Sequence, residues 1–347
     1  MKNILMVGPG RRVRGGISTV VNSYYELGLD KILHLKYVAT MVDANKIKKI
    51  FIAFASFISF SLNIKKYDII HVHMAAQASF TRKSLFIKKA KLKGKKIVIH
   101  QHAADFDEFF IKGNTKKQEC IKKIFDMADK VIVLSEEWEK FFAENVCDKE
   151  KIIVLHNGVI LPKYIKENYN DCNVLFLGKL GKRKGSYDLI NAIPDILNIV
   201  PEAMFYLGGD GEVEQSQKII EKKGLSEHVK LLGWIGTEEK EKYLKECSVF
   251  VLPSYHEGMP MSVLEAMSYG LATVSTNAGG IPQIIENGVD GYRVEAGDVK
   301  AITNILINLL MDQKLKNKIG RAAKTTIEKR FNAEKNITIL KDLYSGM

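Results

Sequence analysis

The clearest chemistry in this sequence lies in the segment His256-Glu257-Gly258-Met259-Pro260-Met261-Ser262-Val263-Leu264-Glu265-Ala266-Met267. Two glutamates stand with seven residues between them, Glu257 just before a predicted helix and Glu265 one turn inside it. Pro260 suits the first helical position, where a missing N–H costs nothing, and Gly258 lets backbone come close to a ligand. The unpaired N–H groups of such a helix start make a site for an anion or a hydroxyl. Glu265 then reaches vicinal hydroxyls while Glu257 meets another part of the same ligand. Taken alone, the segment is equally well an exposed loop acid followed by a helix-surface acid.

Three glycine-rich turns accompany it. Gly178-Lys179-Leu180-Gly181-Lys182-Arg183-Lys184-Gly185-Ser186 follows an apolar strand and precedes a helix. Such a turn with several cations suits a diphosphate, and Lys179 and Lys184 are the candidates to neutralise it. Gly208-Gly209-Asp210-Gly211 and Asn277-Ala278-Gly279-Gly280-Ile281-Pro282 close two other strands in the same manner. A loop lysine is ordinarily just solvated, but three such turns at strand ends of one sheet are hard to explain as plain loops.

The elements that must hold these turns alternate in β-α-β-α order, the pattern of a parallel, doubly wound sheet. Strands are expected near Asn3–Val7, Leu33–Ala39, Asp68–Val72, Lys96–Gln101, Lys130–Leu134 and Ile152–Leu155. Helices fill the gaps at Ile17–Leu27, Ile47–Ile64, Ser79–Leu92, Lys116–Met127 and Glu136–Glu144. After a polar linker at Lys163–Asp171 the pattern restarts, with strands near Val174–Leu177, Ala203–Leu207, Val229–Leu232, Val249–Leu252 and Ala272–Ser275. Helices there run Tyr187–Val200, Val213–Lys222, Glu238–Cys247 and Met261–Tyr269, and the tail from Lys300 is helical. Open α/β sheets bind ligands at the carboxyl ends of their strands, and two in series direct those ends toward a shared crevice.

The chain has 347 residues, enough for two such domains, with 46% hydrophobic and 27% charged residues as in soluble globular proteins. No run of about 18 apolar residues is apparent, so no membrane span is expected. The opening Lys2–Val7 reads as a strand, not a signal segment. Cys120, Cys147, Cys172 and Cys247 have neither metal-ligand nor C-x-x-C spacing, which favours free thiols in a reducing cytosol. The formal charge is +12, and all of the excess falls in residues 1–160, with 28 basic against 16 acidic side chains; 24 of each cancel over 161–347. A basic half of this kind faces nucleic acid, an anionic membrane or an acidic ligand.

Taken together these pieces resemble the retaining glycosyltransferases of family four, glycosyl transferases group 1. The resemblance is carried by Gly15-Gly16-Ile17, His100-Gln101-His102, His156-Asn157-Gly158-Val159, the Gly178–Gly185 turn, Gly208–Gly211, the Glu257/Glu265 pair and Gly279-Gly280-Ile281-Pro282-Gln283-Ile284-Ile285. It implies the α/β GT-B fold: two Rossmann-like doubly wound domains facing across a cleft, with C-terminal helices packing near the domain junction. Residues 1–165 would bind the acceptor and residues 166–325 the donor, and the helix in 326–347 would cross back to the N-terminal domain. The family's usual Arg after the first strand of the second domain is replaced by Lys179, which keeps the charge but loses the bidentate fork.

The same resemblance implies roles. Lys179 and Lys184 grip the donor diphosphate, with backbone at Gly178 and Gly209 close by. Glu265 binds the ribose, while Glu257 and the backbone of Gly258, Met259, Pro260 and Met261 hold the transferred sugar. Gly15 and Gly16 let the first helix start approach the phosphates, His102 sits beside the sugar, and Gly233 and Trp234 lie where the base is held. The expected reaction is hexosyl transfer from a nucleoside-diphosphate sugar, UDP-linked by family habit, to a glycan or polyprenyl-diphosphate-linked acceptor in bacterial surface polysaccharide synthesis. No acidic D-x-D pair stands where it would serve, so no metal and no other cofactor is expected. The expected setting is cytoplasmic, peripheral at the inner face of the cell membrane.

Other signals are weaker. His71 and His73 share a strand face, as do His100 and His102, but no third metal ligand is near in sequence, and core or strand-end histidines are the simpler account. The helix from Ser79 bears Arg82, Lys83, Lys88, Lys89, Lys91 and Lys93, a solvated face or a contact for anionic lipid. Lys46–Lys66 is expected to be a buried Rossmann helix with wet ends, an interfacial helix being the other account. A dinucleotide oxidoreductase fits poorly, because Val13 occupies the third glycine position after Gly8-Pro9-Gly10. A nucleic-acid-binding protein lacks interleaved aromatics and any recognised motif, so no nucleic acid partner is expected. A sugar-nucleotide epimerase of the same architecture is the remaining alternative.

Overall fold

The computed structural model describes residues 2–163 and 171–347. The interior of the linker read at Lys163–Asp171 lies outside the described residues. The chain divides into two compact units, Met1–Ile160 with Ala333–Met347, and Leu161–Asn332.

The first unit holds a six-stranded sheet of β1 (Asn3–Gly8), β2 (His34–Ala39), β3 (Ile69–Met74), β4 (Lys96–Gln101), β5 (Lys130–Val133) and β6 (Ile152–Val154). Its order is β2-β1-β3-β4-β5-β6, and every pairing is parallel. Side chains alternate across a strand with period two. Ile70, Val72 and Met74 therefore join Ile97 and Ile99 in an apolar core with Phe60, Phe80, Phe86 and Phe106 on one face. His71, His73 and His100 turn to the other face, where all three are buried. The helix Ala333–Ser345 belongs to this unit and brings Tyr344 onto the histidine face.

The second unit repeats the scheme with β7 (Asn173–Leu177), β8 (Met204–Gly208), β9 (Val229–Gly233), β10 (Val249–Leu252), β11 (Ala272–Thr276) and β12 (Tyr292–Val294). All pairings are again parallel, in the order β12-β11-β10-β7-β8-β9. The chain winds outward from β7 to β9, then returns to the far side of β7 with β10. That reversal opens a crevice between the carboxyl ends of β7 and β10.

Several expectations change. β12 was not anticipated, since three residues following a turn leave no periodicity to detect. The short helices Leu29–Ile32 and Phe106–Ile111 escaped for the same reason. The helical tail is three helices, Val299–Met311, Gln313–Arg330 and Ala333–Ser345. Most consequentially, the helix Lys46–Asn63 is not a buried helix with wet ends. Phe60 is fully buried, but Ile47, Ile50, Phe51, Phe54, Ile58 and Leu62 are exposed. The window Ile47–Lys66 has a mean hydropathy of 1.5 and among the described residues is the one helical stretch apolar and long enough to cross a membrane, against the expectation of none. Ser56, Ser59 and Ser61 interrupt this run, so no unbroken apolar stretch of that length exists in the sequence.

Gly158 seats the C-terminal helix. A Cβ there would stand 2.9 Å from Ala333 Cα, while the Ala333 N–H donates to Val159 O at 3.0 Å and Asn336 Nδ2 donates to His156 O at 2.8 Å. The motif His156–Val159 is thus a clasp for this helix. Gly158→Val is expected to cost about 1–3 kcal/mol by overpacking and to raise hydrogen exchange selectively in residues 333–345. Exchange equal to wild type in that helix would show that the clasp does not hold it.

Candidate functional site

The reversal crevice of the second sheet is lined by the loops after β7 and β10, and a buried ion pair joins them. Lys184 Nζ lies 2.5 Å from Glu257 Oε1, with the two side chains 15% and 5% exposed. The same carboxylate oxygen accepts from Ser254 Oγ at 2.6 Å, and Ser254 O accepts from Thr276 Oγ1 at 2.6 Å. The β7 loop is pressed onto the β10 loop: the Tyr255 N–H donates to Arg183 O at 2.9 Å, and Arg183 Nη1 to His256 O at 3.3 Å. Gly185 makes this approach possible. It sits at φ +67°, and a Cβ would fall 1.9 Å from Pro253 O.

The adjoining strand ends are zipped to this loop. The Gly178 N–H donates to Gly208 O at 2.9 Å, Leu180 to Asp210 O at 2.7 Å, and Gly209 to Gly233 O at 2.7 Å. Lys179 is exposed on this ledge, with no ion pair among the described residues. Trp234, just beyond Gly233, is 49% exposed. The helix after β10 runs Met261–Ser268, with Pro260 as its N-cap at ψ 118°. Pro260, expected at the first helical position, therefore stands one residue before it. No side chain caps this start, which leaves N–H groups of the first turn for a ligand. Gly258, Met259 and Met261 are buried beside it. Glu265, one turn in, is held by Lys240 Nζ at 2.5 Å from its Oε1.

In the first unit, Gly15 at φ +141° is the N-cap of the helix Gly16–Glu26, again without a side-chain cap. His102 follows β4 directly, and its N–H donates to Met74 O at 2.8 Å. It belongs to a cluster that sequence spacing left as two separate pairs. Because β3 and β4 are neighbours with His73 opposite His100, four imidazoles gather on one face. His73 Nδ1 meets His102 Nε2 at 3.0 Å, His71 Nε2 meets His100 Nδ1 at 3.3 Å, and His71 Nδ1 meets Tyr344 Oη at 2.5 Å. Ring centroids lie 4.1 Å apart for His100 and His102 and 4.6 Å for His71 and His73, with planes 28° and 23° apart.

A third and fourth histidine therefore do stand near His71 and His73, and atoms of His71, His73 and His100 lie within 4.8 Å of one another. Metal ligands converge on one point in the plane of each ring, whereas the rings of His71 and His73 stack face to face with planes 23° apart. Both nitrogens of His71 and the Nδ1 atoms of His73 and His100 are engaged with one another, His102 or Tyr344, while Nε2 of His73 and of His100 is buried without a partner. The arrangement is a hydrogen-bonded ladder of neutral imidazoles. Burial pushes His71 down to about 3; His102 also falls to about 3, through burial and then the charge of nearby Lys83. His73 and His100 are lowered well below 6.5 by burial and by their neighbours. Burial, reinforced by Arg82, brings the Lys83 ammonium down to about 7.

The sequence reading missed Ser254, Lys240, Lys83 and Tyr344 as partners of site residues. Ser254 and Lys240 carry no signal in sequence; the doubled H-x-H spacing could have disclosed the ladder had strand adjacency been assumed.

Two outcomes are expected. Lys184→Met strands a buried carboxylate and should cost roughly 3–5 kcal/mol, much of it regained in Lys184→Met/Glu257→Gln; urea unfolding that finds the single and double variants equal would dissolve the pair's importance. The unfolded chain binds more protons than the folded one between the lowered histidine values near pH 3 and the ordinary 6.5. Stability should therefore fall as pH drops through that window, and less steeply in His71→Gln/His100→Gln. A Tm that stays level from pH 7 to pH 4.5 would contradict a neutral buried ladder.

The family model described as Glycosyltransferase Family 4 matches residues 31–161, and that described as Glycosyl transferases group 1 matches residues 159–326. Similar curated proteins include the Escherichia coli UDP-Gal:alpha-D-GlcNAc-diphosphoundecaprenol alpha-1,3-galactosyltransferase, 29% identical over 313 residues, covering 82% of this chain and 77% of that protein. The amylovoran biosynthesis glycosyltransferase AmsK of Erwinia amylovora is 28% identical over 276 residues, covering 76% and 67%. Among solved structures, Anabaena HepE in complex with UDP-glucose superposes with a TM-score of 0.82 over the whole of both chains at 18% identity, a likeness of fold. Two parallel-sheet Rossmann-like units of GT-B type, with the two models together matching residues 31–326, show that the chain belongs to the family four glycosyltransferases, glycosyl transferases group 1.

Proposed function

We propose that this glycosyltransferase moves a hexosyl group from a UDP-sugar to a lipid-linked glycan acceptor, with retention of configuration and without a metal ion. The observation that carries it is the buried Lys184–Glu257 pair at the strand-order reversal of the second sheet. A cation and a carboxylate fixed side by side in a dry crevice suit a ligand with a diphosphate at one end and sugar hydroxyls at the other. In this reading unit 2 binds the donor. Lys179 and Lys184 meet the diphosphate beside Gly178 and Gly209, and Glu257 with the backbone of Gly258–Met261 holds the sugar. Glu265 takes the ribose hydroxyls, displacing or sharing Lys240, and Trp234 with Gly233 borders the base. Unit 1 binds the acceptor, with Gly15 and Gly16 offering helix N–H groups and His102 facing the sugar.

Charge sets the mechanism. Breaking the bond from sugar C1 to the diphosphate oxygen leaves positive charge on the ring and negative charge on UDP. Fixed lysines and helix N-termini stabilise that separation without reorganising, so a divalent cation is not needed. The acceptor oxygen bonds to C1 on the face the diphosphate leaves, and its proton passes to a diphosphate oxygen. His102, kept neutral by burial and by nearby Lys83, presents a hydrogen-bonding group to the sugar and no competing charge. UDP as the nucleotide and a lipid-linked acceptor are supported by the donor and acceptor of the Escherichia coli relative, and a place in surface polysaccharide synthesis by the amylovoran enzyme; a lipid-linked acceptor in turn favours the cytoplasmic face of the membrane.

A thermal-shift screen across UDP- and GDP-sugars is the direct test. A UDP-sugar should raise Tm by several degrees where GDP-sugars do not, since saturation at 100 Kd adds about 2.7 kcal/mol. Transfer should survive EDTA, give the α product from an α donor by NMR, and drop about 10²–10³-fold in Glu257→Gln. Activity lost to EDTA and restored by Mn²⁺, or an inverted product, would overturn the mechanism. Donor isomerised without acceptor would convert it to an epimerase.

A further inference from the structure

The helix Lys46–Asn63 has two unlike sides. Its inner side is anchored in unit 1: Phe60 is fully buried, and Phe57 and Phe60 pack edge-on against Phe86 with ring centroids 5.2 and 4.9 Å away. Its outer side presents Ile47, Ile50, Phe51, Phe54, Ile58 and Leu62, exposed by 80, 64, 69, 63, 44 and 76%. At 3.6 residues per turn these six fall within an arc of about 120°. Soluble proteins rarely leave so continuous an apolar stripe to water unless something covers it.

The surroundings identify the cover. From residue 44 to residue 104 the sequence has 13 Lys and Arg and a single acid, Asp68. Lys48 and Lys49 flank the start of the helix, Lys65 and Lys66 follow its end, and Lys95 Nζ reaches Lys65 O at 3.2 Å. The adjacent helix Gln77–Leu92 adds exposed Leu85 and Leu92, at 53 and 82%, with exposed Lys88 and Lys91. An apolar ridge among cations with almost no acid complements a surface that is anionic outside and apolar just beneath. A second copy of this chain would oppose its own lysines. The buried inner face also rules out passage through a bilayer, because Phe57 and Phe60 would have to leave the core.

We propose that Lys46–Asn63 is an interfacial helix that lies flat on an anionic phospholipid bilayer, its six apolar side chains in the headgroup–acyl boundary and the flanking lysines on lipid phosphates. The proposal stands on this helix and is independent of the transfer reading, to which it adds a means of reaching a lipid-linked acceptor. The basic helix from Ser79, taken from sequence as the candidate lipid contact, becomes the supporting edge of the surface.

The test is co-sedimentation of the full chain with vesicles of phosphatidylcholine alone or of a three-to-one mixture with phosphatidylglycerol. Binding should need phosphatidylglycerol and weaken with salt. Phe51→Asn/Phe54→Asn changes only exposed side chains and should weaken binding at least tenfold. Lys48→Gln/Lys49→Gln/Lys65→Gln/Lys66→Gln should weaken it similarly and flatten the salt dependence. UDP-induced thermal shift serves as the control for folding and for the donor site, and should match wild type in both variants. Absence of binding to the mixed vesicles at low salt, equal binding to phosphatidylcholine alone, or wild-type binding by the Phe51/Phe54 variant would each overturn the proposal. So would dimerisation in solution, abolished in that variant, in a protein that ignores vesicles. Loss of the UDP shift in the wild type would instead strike the transfer reading and leave the membrane result standing.

Discussion

Parallel strands cannot be joined by tight turns. Each needs a crossover that returns the chain to the same starting edge, and the crossover helices bury both faces of the sheet. Chemistry in such a molecule is therefore confined to the strands' carboxyl ends, where loops leave the sheet and helices begin with free N–H groups. Nearly every residue singled out here obeys that constraint. Lys179 and Lys184 follow β7, Gly209 follows β8, Trp234 follows β9, Glu257 follows β10, and His102 follows β4. In the second unit the order β12-β11-β10-β7-β8-β9 does more, because it makes the loops after β7 and β10 neighbours although some seventy residues separate them.

The two units solve the cost of buried polarity in opposite ways. In the second, Lys184 and Glu257 meet as an ion pair, with Ser254 adding a further hydrogen bond to the carboxylate. Such a pair gives little net stability, because desolvation offsets attraction; what it does provide is a fixed local field. In the first, the histidines shed their charge. Burial, and then for three of them their neighbours, lowers their proton affinity, and Tyr344, whose phenol burial holds well above its ordinary value, keeps its proton and completes the ladder. A neutral ladder fixes His102 by hydrogen bonding and adds no cation at this strand end.

The surplus of positive charge follows a third logic. Lysines between residues 44 and 104 cluster around an apolar stripe that the core does not use. The helix Lys46–Asn63 needs only Phe57, Phe60 and a few neighbours to dock, so its remaining apolar side chains answer to something outside unit 1.

Period-two alternation, glycine-rich strand ends and the Glu257/Glu265 spacing were legible in the sequence because each is a local property: a strand's faces, a turn's sterics and a helix's start depend on a few consecutive residues. So were eleven of the twelve strands among the described residues, β12 being too short to show a period. Partners across the fold were not legible. Nothing near Glu265 in sequence points to Lys240, nothing near His71 points to Tyr344, and the clasp between Gly158 and Ala333 joins residues 175 positions apart. Pro260 was displaced by one position because a helix start depends on how the preceding loop packs. The exposed face of Lys46–Asn63 was misjudged for a related reason. Amphipathic periodicity tells that a helix has an apolar side, but when apolar residues surround it, only the packing of Phe60 against Phe86 decides which side the core takes and which it leaves to be covered from outside.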